Sequence, residues 1–205
     1  MPRYGMVIDT NRCVGCDACT LACKMQNGTP PGVLLARVLE KEEGKYPAVK
    51  RTYLPVLCFH CENPPCVKAC PSSALSKRPD GIVAVDKEKC CGVKACVAAC
   101  PYDALYFWED QRGYFGEDLT PIEQYYYARH RLGTVLKCDF CAERITQGMV
   151  PACVEACPVS CRHFGDLDDP KGPIAQLVKK GAKQILPEAG TRPSVYYIFN
   201  SGGRG

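Results

Sequence analysis

Apolar residues in this chain come in short runs separated by turn-forming stretches, and none approaches the roughly 20 residues a membrane-spanning helix needs. Gly81-Ile82-Val83-Ala84-Val85-Asp86, an apolar run closed by turn formers, predicts a short strand. Ala104-Leu105-Tyr106-Phe107-Trp108 predicts another, and Val195-Tyr196-Tyr197-Ile198-Phe199 a third. A helix is expected around Ile174 to Lys183. Asn27-Gly28-Thr29-Pro30-Pro31-Gly32 reads as a turn, followed by an amphipathic stretch and a strand near Tyr53. The start, Met1 to Asp9, has no long apolar region of the kind an export signal carries. Residues 109–135 form a long insertion rich in Tyr, Arg and Gly, with Tyr125-Tyr126-Tyr127 at its centre. A loop of that length is usually functional, so it is expected to touch a partner, with simple shielding of a buried site as the alternative. The tail Ser201-Gly202-Gly203-Arg204-Gly205 reads as flexible.

A chain of 205 residues can bury one large core or two small ones. Its 46% hydrophobic and 23% charged residues are those of a globular protein, which excludes disorder. The net charge of +4 comes without a dense Lys/Arg run, so nucleic acid is not an expected partner.

Cysteine changes the picture. The chain has 17, in four tight groups: Cys13, Cys16, Cys19, Cys23; Cys58, Cys61, Cys66, Cys70; Cys90, Cys91, Cys96, Cys100; and Cys138, Cys141, Cys153, Cys157. Cys161 stands apart and reads as a packed free thiol. The odd number and the clustering oppose a disulfide framework. The first group follows the bacterial ferredoxin run C-x2-C-x2-C-x3-C, and the others vary it, with Pro71, Pro101 and Pro158 after the last cysteine. Thiolates are soft ligands that suit zinc or iron–sulfur clusters. Zinc sites use two C-x2-C pairs and a spacer, whereas here a third cysteine follows the first pair after two residues. Four such runs favour clusters, and a zinc-structured interaction module is the weaker reading. His60, between Cys58 and Cys61, is expected beside a sulfur rather than on a metal. Lys24, Lys68 and Lys94 lie near ligands in sequence and could raise cluster potentials or simply be solvated. No GxGxxG, P-loop or nucleophile elbow is present, so the chain is expected to carry electrons and not to transform a substrate.

In two-cluster ferredoxins the fourth cysteine of one run ligates the other cluster. The second and third groups, with the strands near them, form one such unit over 52–108. The first and fourth groups remain to pair with each other. The expected fold is therefore α+β: two ferredoxin-like two-cluster units, one inserted within the other, with long connecting loops. Residues 1–51 plus 109–205 make the outer unit, which carries the insertion 109–135. One cluster should take Cys13, Cys16 and Cys19 with Cys157, and its mate Cys138, Cys141 and Cys153 with Cys23. In the inner unit Cys58, Cys61 and Cys66 should join Cys100, while the remaining cluster draws on Cys70, Cys90 and Cys96.

The order of the groups, Cys58-Phe59-His60-Cys61-Glu62-Asn63-Pro64-Pro65-Cys66, Cys100-Pro101-Tyr102, and Pro151-Ala152-Cys153-Val154-Glu155-Ala156-Cys157-Pro158 resemble the iron–sulfur subunits of molybdopterin oxidoreductases. The likeness is greatest to the polysulfide and thiosulfate reductase type, with the arsenate reductase and dimethyl sulfoxide reductase subunits near it. Gly165-Asp166-Leu167-Asp168-Asp169-Pro170 and Pro187-Glu188-Ala189-Gly190-Thr191-Arg192-Pro193 extend it to nearly the whole chain except 109–135. The resemblance implies a heteromer in which a molybdenum or tungsten bis-pterin catalytic subunit exchanges electrons with this chain. Its clusters then lead toward a quinone-reactive membrane anchor subunit or another carrier. It also implies a membrane-associated complex, on the periplasmic or outer face by co-export with the catalytic subunit, a cytoplasmic location being the alternative. A free-standing polyferredoxin is the second reading of the same motifs.

One group departs from the pattern. Its second ligand position holds Val93, which cannot bind iron, and Cys91 is displaced from it by two residues. Subunits resembling those of nitrate reductase also lack a thiolate here and hold a three-iron cluster. The expectation is three [4Fe–4S] clusters and one [3Fe–4S] on Cys70, Cys90 and Cys96, the most easily reduced of the four. The alternative is four [4Fe–4S] clusters with Cys91 recruited.

Overall fold

The computed structural model describes residues 1–199. In chain order its elements are β1 (Tyr4–Asp9), α1 (Ala18–Asn27), β2 (Ala36–Lys45), β3 (Ala48–Leu57), α2 (Pro65–Lys68), β4 (Leu75–Lys77), β5 (Val83–Val85), α3 (Ala95–Ala98) and β6 (Leu105–Trp108). There follow α4 (Pro121–Tyr127), β7 (Thr134–Lys137), α5 (Ala142–Thr146), α6 (Ala152–Glu155), β8 (Arg162–Asp166), α7 (Pro173–Lys179) and β9 (Val195–Ile198). The tail expected to be flexible, 201–205, lies outside the described residues.

Strand β1 is the centre of a three-stranded sheet ordered β8-β1-β9, antiparallel to β8 and parallel to β9. A strand paired on both edges and covered on both faces is apolar throughout its middle. Met6, Val7 and Ile8 are all fully buried, and Ile174 of α7 packs on Val7. The two ends of the described chain thus close on one core, although the hydrophobic pattern predicted no element at the start. Three apolar residues are too short a run to announce a strand.

Strands β5 and β9 fall where the pattern places them, and so does β6. The partner of β6 is β7, with Leu105 opposite Lys137 and Trp108 opposite Thr134. That ladder therefore joins residues on the two sides of the insertion. The amphipathic stretch before Tyr53 is strand β2, which forms a ten-residue antiparallel hairpin with β3. Helix α7 ends at Lys179, four residues before the predicted limit, and Gly181 follows at φ 107°. The result is a mixed α and β protein of small sheets and short helices.

The insertion is not a structureless loop. Thr120 and Glu123 make a reciprocal capping box at the start of α4, with Pro121 in the first turn. Glu123 also accepts from the Tyr114 N–H at 2.7 Å, and these N–H donors with the Thr120 hydroxyl hold its carboxyl below the usual range. Trp108 and Tyr127 meet edge to face at 5.1 Å. His130 bonds the Asn27 carbonyl through Nε2 at 2.8 Å, and the Lys87 ammonium donates to its Nδ1 at 2.9 Å. The segment is thereby pinned to the end of α1. That helix stops at Gly28, whose φ of 55° ends it and whose N–H donates to the Lys24 carbonyl. A Cβ at Gly28 would lie 2.2 Å from the side chain of Tyr126, so no other residue fits there without movement.

Candidate metal centres

The four cysteine groups share one backbone feature. The residue before the second ligand position has a positive φ in each: Gly15 at 69°, His60 at 42°, Gly92 at 73° and Phe140 at 58°. That conformation curls the loop so that successive N–H groups face its hollow. A helix then presents the third cysteine: Cys19 on α1, Cys66 on α2, Cys96 on α3 and Cys153 on α6. Cys23 continues along α1, whereas Cys70, Cys100 and Cys157 follow single-turn helices and precede Pro71, Pro101 and Pro158. In the third group Val93 occupies the place that Cys16 has in the first, between residues of positive φ on both sides. Val93 is 59% exposed and Cys91 is also exposed. Left-handed backbone costs a non-glycine residue about 1 kcal/mol or more, and His60 and Phe140, which both adopt it, stack at 3.8 Å between centroids.

Cysteines of different groups are brought together. One cavity is lined by Cys13, Cys16 and Cys19 with Cys157 and Cys161. Cys161 lies with its sulfur 3.5 Å from that of Cys157, to which its N–H also donates at 3.3 Å. A second cavity is lined by Cys58, Cys61, Cys66 and Cys100. Cys23 lies within electrostatic reach of Cys138, Cys141 and Cys153. The Asn27 amide donates to Cys23 Sγ at 3.4 Å, and the Phe140 N–H to Cys138 Sγ at 3.4 Å. Cys70, Cys90 and Cys96 pack around Leu75 and Val83.

The chemistry of these quartets suits an iron–sulfur core. Burial first, and neighbouring thiols second, push Cys61 and Cys66 up to about 12. Burial likewise pushes Cys141 up to about 11, and raises Cys23 and Cys138. Crowded buried sulfurs are a poor place for free thiolates and a good one for thiolates bound to cations. Cys70 and Cys157 go the other way: burial alone would raise them, but the hydrogen-bond donors around each together outweigh it. Among the described residues no three His, Cys, Asp or Glu side chains converge as they would on a single ion. A polynuclear iron–sulfur core takes its thiolates from two loops, as these hollows offer them.

The lysines singled out in the sequence are engaged elsewhere. Lys24 donates to the carbonyls of Thr29, Pro30 and Val33 and staples the turn after α1. Lys94 pairs with Glu109 at 2.5 Å over the Phe107 ring, and Lys68 is exposed. Two buried cations beside the cysteine loops were missed by sequence reading. Arg162 is buried, with Nη2 3.3 Å from Cys19 Sγ and Nη1 4.0 Å from Cys153 Sγ. Lys137, also buried, donates to the carbonyls of Val83 and Cys138. Each directly neighbours a cysteine in sequence, which was the only available signal. His60 is fully buried and accepts the Val83 N–H on Nδ1 at 3.1 Å, so its neutral ring carries the proton on Nε2. That Nε2 has no partner among the described residues.

A family model described as a 4Fe-4S dicluster domain matches residues 49–116 and 118–167. The arsenate respiratory reductase iron-sulfur subunit of Shewanella sp. strain ANA-3 is 40% identical, over 98% of this chain and 97% of that protein. A selenate reductase subunit of Mesobacillus selenatarsenatis is 40% identical over 96% of this chain and 72% of its own length. A tetrathionate reductase subunit of Salmonella typhimurium is also 40% identical, again over 96% and 72%.

Proposed function

Since the chain belongs to the 4Fe-4S dicluster iron–sulfur subunits of the dimethyl sulfoxide reductase family of molybdoenzymes, we propose that it relays electrons within such a complex through four cluster sites. The observation that carries this reading is the assembly of cysteines from different groups into common hollows. Each bound cluster would accept and release one electron at a time. The chain's own part is to hold the thiolates, aim N–H groups at them and keep water out.

In this reading Cys157 completes the site of Cys13, Cys16 and Cys19, and Cys23 that of Cys138, Cys141 and Cys153. Cys100 completes the site of Cys58, Cys61 and Cys66, while Cys70, Cys90 and Cys96 hold a three-iron cluster. The second and third groups then form a unit over 52–108 nested within the outer one. Support comes from the cavity linings, and for the three-iron site from Val93 standing where Cys16 stands in the first loop, between two residues of positive φ. The partners are a molybdopterin catalytic subunit, which sets the substrate, and a membrane anchor subunit. The complex would reach the outer face of the membrane by co-export with the catalytic chain. No helix among the described residues is long and apolar enough to cross a membrane. The insertion 109–135, with Tyr114, Phe115 and Ile122 facing solvent beside α1, is the surface we assign to a partner.

Anaerobic purification tests the reading. About 15 irons per chain are expected, with a paramagnetic three-iron signal in the oxidised protein and co-elution with a pterin-bearing subunit. A colourless zinc protein, or a cluster protein that never associates with another chain, would refute it.

A further inference from the structure

Two buried cations have no carboxylate to balance them. Arg162, 3% exposed, and Lys137, 8% exposed, form no ion pair with Asp or Glu among the described residues. An isolated buried charge is strongly unfavourable, and such groups are retained where an opposite charge lies at hand. Around Arg162 the available anions are sulfurs, with Cys19 Sγ at 3.3 Å on one side and Cys153 Sγ at 4.0 Å on the other. Met6 Sδ lies at 3.8 Å, the Cys161 thiol is within electrostatic reach, and Nε has no partner among the described residues. Lys137 is fixed by the Val83 and Cys138 carbonyls, with the Cys66 thiol within its electrostatic reach.

The positions matter more than the charges alone. Cys19 belongs to the first cysteine group and Cys153 to the fourth, so the guanidinium bridges two quartets. Lys137 sits where Cys138 of the fourth group approaches the second group, and Cys138 feels Cys58 there. The quartet of Cys23, Cys138, Cys141 and Cys153 therefore has a fixed positive charge on each of two flanks. No other quartet has both.

We propose that Arg162 and Lys137 are counter-cations set at the junctions between neighbouring cluster sites, and that together they make the Cys23/Cys138/Cys141/Cys153 site the most readily reduced of the four-iron sites. This rests on the cluster assignment above. A site that becomes more negative on taking up an electron is stabilised in its reduced form by a nearby fixed cation, most strongly where water is excluded. The same charges offset repulsion between adjacent sites when both are reduced. Both residues act on potential through the ligands and are positioning residues.

The test is potentiometric titration of the whole complex by electron paramagnetic resonance, comparing wild type with Arg162→Gln, Arg162→Lys and Lys137→Gln. Glutamine keeps N–H donors for the same acceptors and removes only the charge. Arg162→Gln should lower the reduced-to-oxidised ratio at fixed potential by about tenfold, 59 mV for one electron, at the sites holding Cys19 and Cys153. The other two sites should stay within about twofold of wild type, and Arg162→Lys should recover most of the loss. Lys137→Gln should move the sites holding Cys138 and Cys66, so that one site responds to both variants. Full iron with all potentials unmoved, or an equal shift at every site, would overturn the inference while leaving the cluster assignment standing. Where Arg162→Gln fails to retain iron, Lys137→Gln decides alone, and unmoved potentials there overturn it. A wild-type complex lacking clusters at these quartets would defeat both readings together.

Discussion

Replacing Val93 with cysteine should convert the third-group cluster from three irons to four. The loop needs no rebuilding to accept the thiol. Val93 has a flanking positive φ at Gly92 of 73° and at Lys94 of 57°, against 69° at Gly15 and 54° at Asp17 around Cys16. Val93 itself is absent from the residues of positive φ, so cysteine adopts its backbone without strain. At 59% exposure its side chain contributes little to the core, and the substitution should change stability by no more than about 0.5 kcal/mol. Iron should rise by about one per chain, from roughly 15 to roughly 16. The paramagnetic signal of the oxidised protein, about one spin per chain in wild type, should disappear, and the most easily reduced site should become harder to reduce. Cys91→Ser is the matching control and should change neither quantity, because a three-iron cluster on Cys70, Cys90 and Cys96 leaves that exposed thiol without an iron. The reasoning fails if wild type is silent when oxidised and carries roughly 16 irons, or if Cys91→Ser removes an iron.

Cys157→Ser and Cys13→Ser should abolish the same cluster signal and leave the one lost in Cys138→Ser; separate losses would break the cross-group pairing. Gly28→Ala should destabilise the protein by about 1–3 kcal/mol in denaturant melts, since the methyl meets Tyr126 at 2.2 Å and φ is 55°. Phe115→Glu with Ile122→Glu, at 73% and 59% exposure, should weaken co-purification with partner subunits while iron content stays at wild type. Burial, and then Lys87, lower the pKa of His130, so the folded chain resists a proton that the unfolded chain accepts near its ordinary value of about 6.5. The anchoring of the insertion is thus complete above pH of about 6.5 and should weaken as pH falls below it. Hydrogen exchange across α4, corrected for intrinsic rates, should quicken at lower pH in wild type and much less so in His130→Gln; equal slopes would remove His130 from the account.

The spacing of the cysteines was sufficient to identify thiolate chemistry, because ligand runs are local and a loop of a few residues carries most of each site. Strands β5, β6 and β9 were legible for the same reason, each being a short apolar run closed by turn formers. Strand β1 was not, since only its pairing on both edges makes Met6, Val7 and Ile8 a core element. The pairing of β6 with β7 across the insertion was equally hidden, as was the capping box that turns part of 109–135 into a helix anchored by His130. The vacancy at Val93 could be counted from the sequence. That Cys91 lies exposed was not legible there. Arg162 and Lys137 show the limit most clearly. Nothing local distinguishes them from Lys24 or Lys94, and only the packing of β8 and β7 buries Arg162 between sulfurs and Lys137 against the Val83 and Cys138 carbonyls. Burial, not proximity in sequence, decides which cation a cluster site feels, because water screens the exposed ones.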